Sequence, residues 1–527
     1  MKVKPVLHDM ARFCQESGPH RLHVHCLASN FARRLVAQFW MCAVLGASWT
    51  AGAERPFEIR IVDTSTGRGI PWIEVHTVHH VRFWTDNAGR IAIDEPDLWG
   101  QRVFFHIRSP GYLGPRDGFG FEGLALDVQP GHRAEVRLRR TNIAERLYRV
   151  TGAGLYSHSI RLGYTSEVPI PQPLLNAGVV GQDSVQACVY RDRIYWFYGD
   201  TSRMSHPLGN FLTTGATSLL PNRGGLSPDV GVALTYFTEG DFVRAMAPGF
   251  GEGMVWIDGV CNVPDVRGQP RLVAHYVRMK SLEQRLGHGL AWFNDERGRL
   301  ERIVEFDRTV DWQHPAGQAT TNGGYVYFSH PVPTLRVLAT FESLTNPVAY
   351  EAFTWTPHRG WHWQREHPPM TPVREQQWVR TGEMPADVVR FTPRDSTGRP
   401  IIPHAGSVRW NRYRHRWVTI FVEVGGQESY LGEVWYAEAD DLTGPWTFAV
   451  KIASHGRYSF YNPVHHEFFD EGDGRWIYFE GTLSETFSGA PYPSARYDYN
   501  QLMYRLDLAD PRLLSALSTA VPQSAAR

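Results

Sequence analysis

Four short runs in the middle of the chain decide its fold: Ser184-Val-Gln-Ala-Cys-Val-Tyr190, Ile194-Tyr-Trp-Phe-Tyr198, Thr213-Thr-Gly-Ala-Thr-Ser218 and Val232-Ala-Leu-Thr-Tyr-Phe237. The runs are rich in β-branched or aromatic residues, and turn-forming Gly, Pro, Asn and Asp lie between them. Together they predict four antiparallel strands. Because one such sheet buries its faces only against similar neighbours, we expect more groups of the same kind to follow.

Four further groups of strand-like runs follow, beginning near Met254, Tyr325, Ser407 and Pro463. Five successive groups predict a five-bladed β-propeller. The last group has only three clear runs, so we expect the segment around residues 147–163 to supply its fourth strand and hide the open edges. Because the spacing between groups is irregular, two stacked β-sandwiches are the alternative.

The segment before the propeller, residues 54–140, predicts a small β-sandwich from alternating runs such as Phe57-Glu-Ile-Arg-Ile-Val62. Its turn residues occur in a recognisable order: Asp63-Thr-Ser-Thr-Gly-Arg-Gly69, then Thr85-Asp-Asn-Ala-Gly89, then Ser109-Pro-Gly-Tyr112. That order resembles the carboxypeptidase regulatory-like domain, which has a transthyretin-like fold. The resemblance implies an accessory module without chemistry of its own.

The two ends of the chain are predicted to lie outside these domains. Residues 1–53 are typical of an export leader, since Arg33 and Arg34 precede an apolar stretch and Ala51-Gly-Ala53 offers a cleavage site. The stretch is shorter than the roughly 20 residues of a membrane span. We therefore expect a secreted or periplasmic protein without a span, with a buried helix of a cytosolic domain as the alternative. The propeller is assigned to residues 141–512 and a disordered tail to residues 513–527.

The composition restricts the choice of partner. Lys plus Arg total 54 and Asp plus Glu also total 54, so no net charge attracts nucleic acid. Aromatic residues make up 13% of the chain, which suits packed β-sheets or sugar-stacking surfaces. We expect a monomer that binds carbohydrate and not nucleic acid.

Polar residues recur where predicted strands begin or end. In a propeller, the start of the first strand and the end of the second strand of every blade meet at one mouth. The residues at or near those positions are Asp183, Asp200, Asp258, Arg278, His330, His404, Glu423, Tyr461, Asn462, His465 and Glu480. Two facing carboxyl groups suffice to break a glycosidic bond, because one donates a proton and the other activates water. For any single residue the alternative is a strand end that caps a turn.

Two stretches carry a resemblance to a known family. Glu433-Val-Trp-Tyr-Ala-Glu-Ala-Asp-Asp-Leu-Thr-Gly-Pro-Trp446 is similar to a blade of the five-bladed propeller glycoside hydrolases of the arabinanase/xylosidase group. Gly181-Gln-Asp-Ser184, with Trp196-Phe-Tyr-Gly-Asp-Thr201, resembles the first blade of an endo-D-arabinanase-like group. The resemblance implies an inverting glycosidase with Asp183 as its base and Asp258 as the aspartate that adjusts pKa values.

The acid of such a site is not identified by the resemblance. The family places a Glu at the start of a first strand in a later blade, and no first strand predicted in the third or fourth group begins with one. Glu423 and Glu480 are the nearest catalytic candidates. The remaining residues at the mouth are expected to bind substrate: Asp200, Arg278, His330, His404, Tyr461, Asn462 and His465.

Two other functions remain open at this stage. The propeller could bind carbohydrate or act as a scaffold without catalysis, in which case the acids only cap strands. A polysaccharide lyase is the third hypothesis, with Tyr461 as base beside Arg278 and His465. No cofactor is required by any of these functions and no metal-ligand set is predicted, although a central cation beside His404 or His465 is compatible with the pattern.

Overall fold

The computed structural model describes residues 55–205, 209–307 and 309–514. Strands dominate this part of the chain, as the sequence predicts. The predicted leader, residues 1–53, lies outside the described residues, and so does the chain after residue 514. Leu513, at the start of the predicted tail, is buried in the core with 1% of its surface exposed. None of the described helices has the length and hydropathy needed to cross a membrane.

Eight strands form the N-terminal sandwich: β1 (Phe57–Asp63), β2 (Glu74–Thr77), β3 (Arg82–Trp84), β4 (Arg90–Ile93), β5 (Gln101–Arg108), β6 (Tyr112–Leu113), β7 (Gly123–Val128) and β8 (Arg133–Arg140). They make two four-stranded sheets with the orders β4-β1-β8-β6 and β3-β2-β5-β7. Ile59, Ile91 and Phe105 are fully buried between the sheets. Alternation of apolar and polar residues therefore produces the predicted sandwich core.

The remaining strands follow in chain order. The first half comprises β9 (Glu145–Arg149), β10 (Gly181–Gln182), β11 (Val185–Tyr190), β12 (Arg193–Tyr198), β13 (Thr201–Ser202), β14 (Gly209–Asn210), β15 (Thr214–Leu219), β16 (Thr235–Tyr236), β17 (Thr238–Glu239), β18 (Phe242–Val243), β19 (Met254–Pro264), β20 (Pro270–Met279), β21 (Arg285–Asn294) and β22 (Arg299–Glu305). The second half comprises β23 (Gln318–Asn322), β24 (Tyr325–Ser329), β25 (Pro333–Leu338), β26 (Glu351–Thr356), β27 (Gly360–Gln364), β28 (Pro403–Asn411), β29 (Arg416–Glu423), β30 (Glu433–Ala439), β31 (Ala449–Ser454), β32 (Ser459–His465), β33 (Trp476–Ser484) and β34 (Asn500–Asp507).

Five antiparallel sheets of these strands form the body of the described chain. Their orders are β11-β12-β15-β16, β19-β20-β21-β22, β23-β24-β25-β26-β27, β28-β29-β30-β31 and β32-β33-β34-β9. The first strands of successive sheets contact one another in turn. The first and last sheets are joined as well, because Ser184 N donates to Thr482 Oγ1 over 3.0 Å and Asn462 Nδ2 donates to Ser184 Oγ over 2.6 Å. The fold class is the predicted one, a β-sandwich followed by a β-propeller.

The last sheet takes its fourth strand from the beginning of the propeller sequence. Strand β9 pairs antiparallel with β34, with Leu502 opposite Arg149 and Met503 opposite Tyr148. Leu147 and Tyr148 are buried among residues of the first and last sheets. The sequence placed this strand within residues 147–163, and the structure places it slightly earlier. Pairing of a distant segment leaves β34 without an open edge.

The sequence does not predict every element of the propeller, and strand β23 and one helix are two that it misses. Strand β23 (Gln318-Ala-Thr-Thr-Asn322) is almost entirely polar and shows no apolar alternation. Helix α3 (Pro372–Thr381) lies between the third and fourth sheets, where no helix was expected; the shorter helices are α1 (Ser157–Arg161) and α2 (Phe341–Leu344). The signals for α3 are local, since Thr371 accepts a capping bond from Arg374 N over 3.2 Å and Gly382 follows with a positive φ. This insertion explains part of the irregular spacing between the groups.

The sandwich packs against the propeller through one buried contact region. Trp72 of the sandwich is 3% exposed, and its Nε1 donates to Ser494 Oγ over 2.9 Å. The Arg146 guanidinium lies 4.7 Å from the Trp72 ring centroid and donates to the Pro110 carbonyl over 2.6 Å. A buried guanidinium is tolerated here because backbone carbonyls accept hydrogen bonds from its N–H groups.

Candidate functional site

A cavity of about 430 Å³ lies where the first strands of the five sheets meet. Residues from every sheet line it, including Gln186, Trp256, Gln318, Gly406 and Tyr461. Six of the residues singled out from the sequence also line it: Asp183, Asp200, Asp258, His330, Tyr461 and Asn462. The propeller therefore brings three aspartates from distant parts of the sequence to one concave surface.

Asp183 lies just before β11, at the junction between the first and last sheets. Its Oδ1 accepts a hydrogen bond from Ser184 Oγ over 2.8 Å, and Asn462 Nδ2 in turn donates to Ser184 Oγ. The hydroxyls of Tyr461 and Tyr499 lie close to the Asp183 carboxyl and lower its pKa, as Ser184 does. Burial raises the pKa of Asp183, and these neighbours oppose the rise.

Asp200 is the direct neighbour of Asp183 across the hairpin, since Asp183 N donates to the Asp200 carbonyl over 2.9 Å. Its Oδ1 accepts a hydrogen bond from Trp256 Nε1 over 2.8 Å. Burial, and secondarily the charge of Asp183, raises the pKa of Asp200 to about 6. Below that pH the Asp200 carboxyl group carries a proton that it can donate.

Asp258 comes from the second sheet. All the hydrogen bonds that its carboxylate accepts from described residues come from N–H groups. Its Oδ1 accepts from Gly259 N over 2.9 Å and from Gln186 Nε2 over 3.1 Å, while its Oδ2 accepts from Gly317 N over 2.7 Å. Three donors from three different strands or loops fix the orientation of this carboxylate in the cavity wall.

Aromatic side chains form much of the rest of the wall. Trp256, Tyr461, Phe487 and Tyr499 all line the cavity, and Phe487 is 55% exposed at the rim. Burial raises the pKa of the Tyr461 and Tyr499 hydroxyls, and so does the nearby carboxyl of Asp183. Both tyrosines therefore stay protonated and act as hydrogen-bond donors. Aromatic walls with convergent polar groups are typical of small-molecule and saccharide sites.

Four residues of the cavity wall have left-handed backbone conformations although none is glycine. Ser184 has φ 26°, Asn462 has φ 50°, Phe487 has φ 59° and Tyr499 has φ 57°. Such conformations cost of order 1–3 kcal/mol each and persist where the surrounding structure imposes them. Ser184 and Asn462 are linked to Asp183 through Ser184 Oγ, and Tyr499 lies beside the Asp183 carboxyl, so three of the four strained residues surround that group.

The two predicted acid candidates do not line the cavity. Glu423, 2% exposed, forms an ion pair with Arg399 and accepts a hydrogen bond from Trp435 Nε1 over 3.0 Å. Glu480 is fully buried, and its Oε1 lies 2.9 Å from His466 Nε2. Neither carboxylate is placed to reach a substrate in the cavity. Both follow apolar strand residues in sequence, which does not reveal on which face of the sheet a side chain lies.

Three other predicted residues are also outside the cavity wall. Arg278 forms an ion pair with Glu305 at the end of β20. His465 is fully buried, and its Nε2 lies 2.8 Å from Asp470 Oδ1. His404 is exposed near the mouth, where partial desolvation and the neighbouring His330 lower its pKa. The trio proposed for a lyase, Tyr461 with Arg278 and His465, is therefore not brought together.

Sequence reasoning missed several residues that line the cavity. Gln186, Trp256, Gln318 and Tyr499 all contribute to it. Trp256 belongs to the apolar run Val255-Trp-Ile257, which predicts a buried strand, and Tyr499 lies in a loop before β34 without any periodic pattern. Gln318 opens the polar strand β23, at the position where the resemblance would place a Glu.

Comparison with known proteins finds similar solved structures only at low similarity. No protein-family model and no curated protein matches the chain. Similar solved structures include an exo-1,5-α-L-arabinanase from a bovine ruminal metagenomic library, with 10% identity, TM-score 0.32, and coverage of 63% of this chain and 94% of that one. An α-L-arabinanase of Penicillium chrysogenum with arabinobiose has 9% identity and a TM-score of 0.37, with coverage of 69% of this chain and 99% of that one. An exo-β-1,3-galactanase of Phanerochaete chrysosporium with galactose has 11% identity and a TM-score of 0.34, with coverage of 63% of this chain and 61% of that one. Such low similarity carries no argument about the reaction.

Proposed function

We propose that this chain is an exported glycoside hydrolase that binds a saccharide in the mouth cavity and cleaves a glycosidic bond there. The observation that carries the proposal is the meeting of Asp183, Asp200 and Asp258 around one cavity with aromatic walls. Export rests on the leader pattern of residues 1–53. The sandwich, with its regulatory-like turn pattern, serves as an accessory module.

Asp200 is the proposed general acid. Its pKa of about 6 keeps it protonated in mildly acidic solution, as protonation of a leaving oxygen requires. Trp256 Nε1 occupies Oδ1, which leaves Oδ2 available for the substrate. Asp183 assists by its charge, which disfavours ionisation of Asp200.

Asp258 is the proposed base. Asp183 cannot face Asp200 across a sugar ring, because the two residues are direct neighbours on one hairpin. Asp258 belongs to the next sheet and has a fixed orientation, so it can activate a water on the other side of the bond. An inverting mechanism needs about 6.5–9.5 Å between the two carboxyl groups. This assignment exchanges the roles that the resemblance implied for Asp183 and Asp258.

The proposal is tested with two conservative variants and a matched control. Asp200→Asn and Asp258→Asn should each lower kcat on a susceptible polysaccharide by at least about 100-fold, whereas Asp192→Asn, in the exposed turn of the same sheet, should leave kcat unchanged. Reducing-sugar release from a panel of polysaccharides gives the rates, and NMR of the first-formed anomer gives the stereochemistry. Undiminished hydrolysis by Asp200→Asn would overturn the assignment.

A specific observation favours a second function, carbohydrate binding without hydrolysis. Gln318 begins the first strand of the third sheet and lines the cavity, and an amide cannot act as general acid. If no glycan is hydrolysed while binding to one is measurable and weakens in Trp256→Ala, the binding function replaces the catalytic one.

A further inference from the structure

Three histidines gather behind the cavity wall, outside the site described above. His275 lies on β20, His288 on β21, and His314 on the segment before β23. One ring nitrogen of each lies within 4.8 Å of one nitrogen of each of the others. His275 Nε2 is 3.0 Å from His288 Nδ1, and the rings of His275 and His314 stack with centroids 3.8 Å apart.

The cluster is largely desolvated and not fully satisfied. His275 is 7% exposed and His288 is 3% exposed. His288 Nε2 makes no hydrogen bond of normal geometry to any described residue, although the backbone of Val310 lies beside the ring. Burial lowers the pKa of all three imidazoles, so each has one nitrogen lone pair; one of these accepts the hydrogen bond between His275 and His288 in the absence of an ion.

His314 has a carbonyl oxygen next to each of its two ring nitrogens. Its Nδ1 lies 2.8 Å from the Pro315 carbonyl oxygen, and its Nε2 lies 3.0 Å from the Asp311 carbonyl oxygen. A neutral imidazole has a single N–H, so one of these nitrogens turns a lone pair toward a carbonyl oxygen. A cation between a nitrogen and an oxygen so arranged would satisfy both.

We propose that His275, His288 and His314 bind a divalent transition-metal ion, with Zn²⁺ as the preferred ion. Imidazole nitrogens suit Zn²⁺, and three histidines leave its fourth position for water or a carbonyl oxygen. With Zn–N distances of about 2.0–2.1 Å, tetrahedral ligand nitrogens lie about 3.3 Å apart. The 3.0 Å between His275 Nε2 and His288 Nδ1 is close to that separation. The His314 ring has to turn out of its parallel stack with His275 to direct a nitrogen at the same ion.

The metal would hold part of the cavity wall in place. His275 is paired across the β19–β20 ladder with Asp258, and Gly317 N, three residues after His314, donates to Asp258 Oδ2 over 2.7 Å. An ion on the three histidines would therefore fasten residues 311–317 to β20 and β21. This positioning role is independent of whether Asp258 acts as a base.

Metal content is the primary test. The full-length protein is stripped with a chelator, incubated with ZnCl₂ or CoCl₂ and desalted. We expect close to one zinc per chain, the intense visible d–d bands of tetrahedral Co²⁺, and a higher melting temperature with Zn²⁺ than with Mg²⁺. His314 is the least buried of the three histidines. His314→Gln should abolish the Co²⁺ bands and the zinc-dependent rise in melting temperature, whereas His404→Gln at the mouth should retain both.

Two results would overturn the proposal. One is zinc binding of equal stoichiometry in wild type and His314→Gln. The other is the absence of retained zinc in wild type, which would leave the three rings as a stack of neutral histidines. Circular dichroism compares His314→Gln and His404→Gln with chelated wild type, so that loss of zinc is not mistaken for loss of folding. Activity enters none of these measurements, so failure of the metal site and failure of the proposed hydrolase are separable.

Discussion

Trp256 Nε1 donates a hydrogen bond to Asp200 Oδ1 over 2.8 Å, although the two residues belong to different sheets. The bond stabilises the ionised form of Asp200 and holds its pKa below the value that burial alone would set. Trp256→Phe should therefore raise this pKa further. In the pH profile of kcat/KM, the alkaline limb near pH 6 should move to higher pH, while Phe487→Leu at the rim should leave it in place.

Asp200→Asn should lose activity and gain stability at neutral pH. The folded-state pKa of about 6 lies above the value of about 3.9 for an unfolded Asp. The protonated Asp200 therefore stabilises the folded state fully below pH 3.9, and this stabilisation is lost as the pH rises through 6. With 1.36 kcal/mol per pKa unit, Asn should stabilise the protein by about 1–3 kcal/mol at pH 7 and by less at pH 4.

Urea unfolding at the two pH values measures this difference. A variant that is equally or less stable than wild type at pH 7 would contradict the raised pKa of Asp200. Asp192→Asn again serves as the control, because that carboxylate is exposed.

Glu423 should prove structural. Arg399→Ala leaves its buried carboxylate with Trp435 as a remaining partner, which should cost about 3 kcal/mol in unfolding free energy. Arg412→Ala breaks only an exposed pair with Asp473 and should cost less than about 1 kcal/mol. A large loss of kcat without loss of stability in Glu423→Gln would return this residue to the catalytic site.

The pairing of β9 with β34 should matter for the whole propeller. Leu147 is 1% exposed between the first and last sheets, so Leu147→Ala should destabilise the protein by about 2–5 kcal/mol. Leu175→Ala, at a residue 38% exposed, should cost far less. Equal melting temperatures of the two variants would mean that β9 contributes little to stability.

Much of the architecture could be predicted because it depends on local patterns. Period-two alternation revealed most strands, and the missing strand of the last group was expected near its observed place at Glu145–Arg149. The polar strand β23 escaped notice, since its stability comes from neighbouring strands and not from its own apolar residues. Helix α3 was overlooked although Thr371 and Gly382 mark its two ends.

The candidate site was likewise predicted only in part. The sequence by itself determined that Asp183 and Asp200 stand at strand ends, where a propeller directs side chains toward its mouth. Asp258 was expected at a strand end as well, but it lies inside β19, beside a bulge, and still lines the cavity. Only the tertiary structure decided that Glu423 and Glu480 turn into buried pairs, that Trp256 reaches Asp200, and that three distant histidines meet behind Asp258. The reason is physical: a strand pattern fixes alternation along one chain, whereas partners across sheets depend on register and on how neighbouring blades pack.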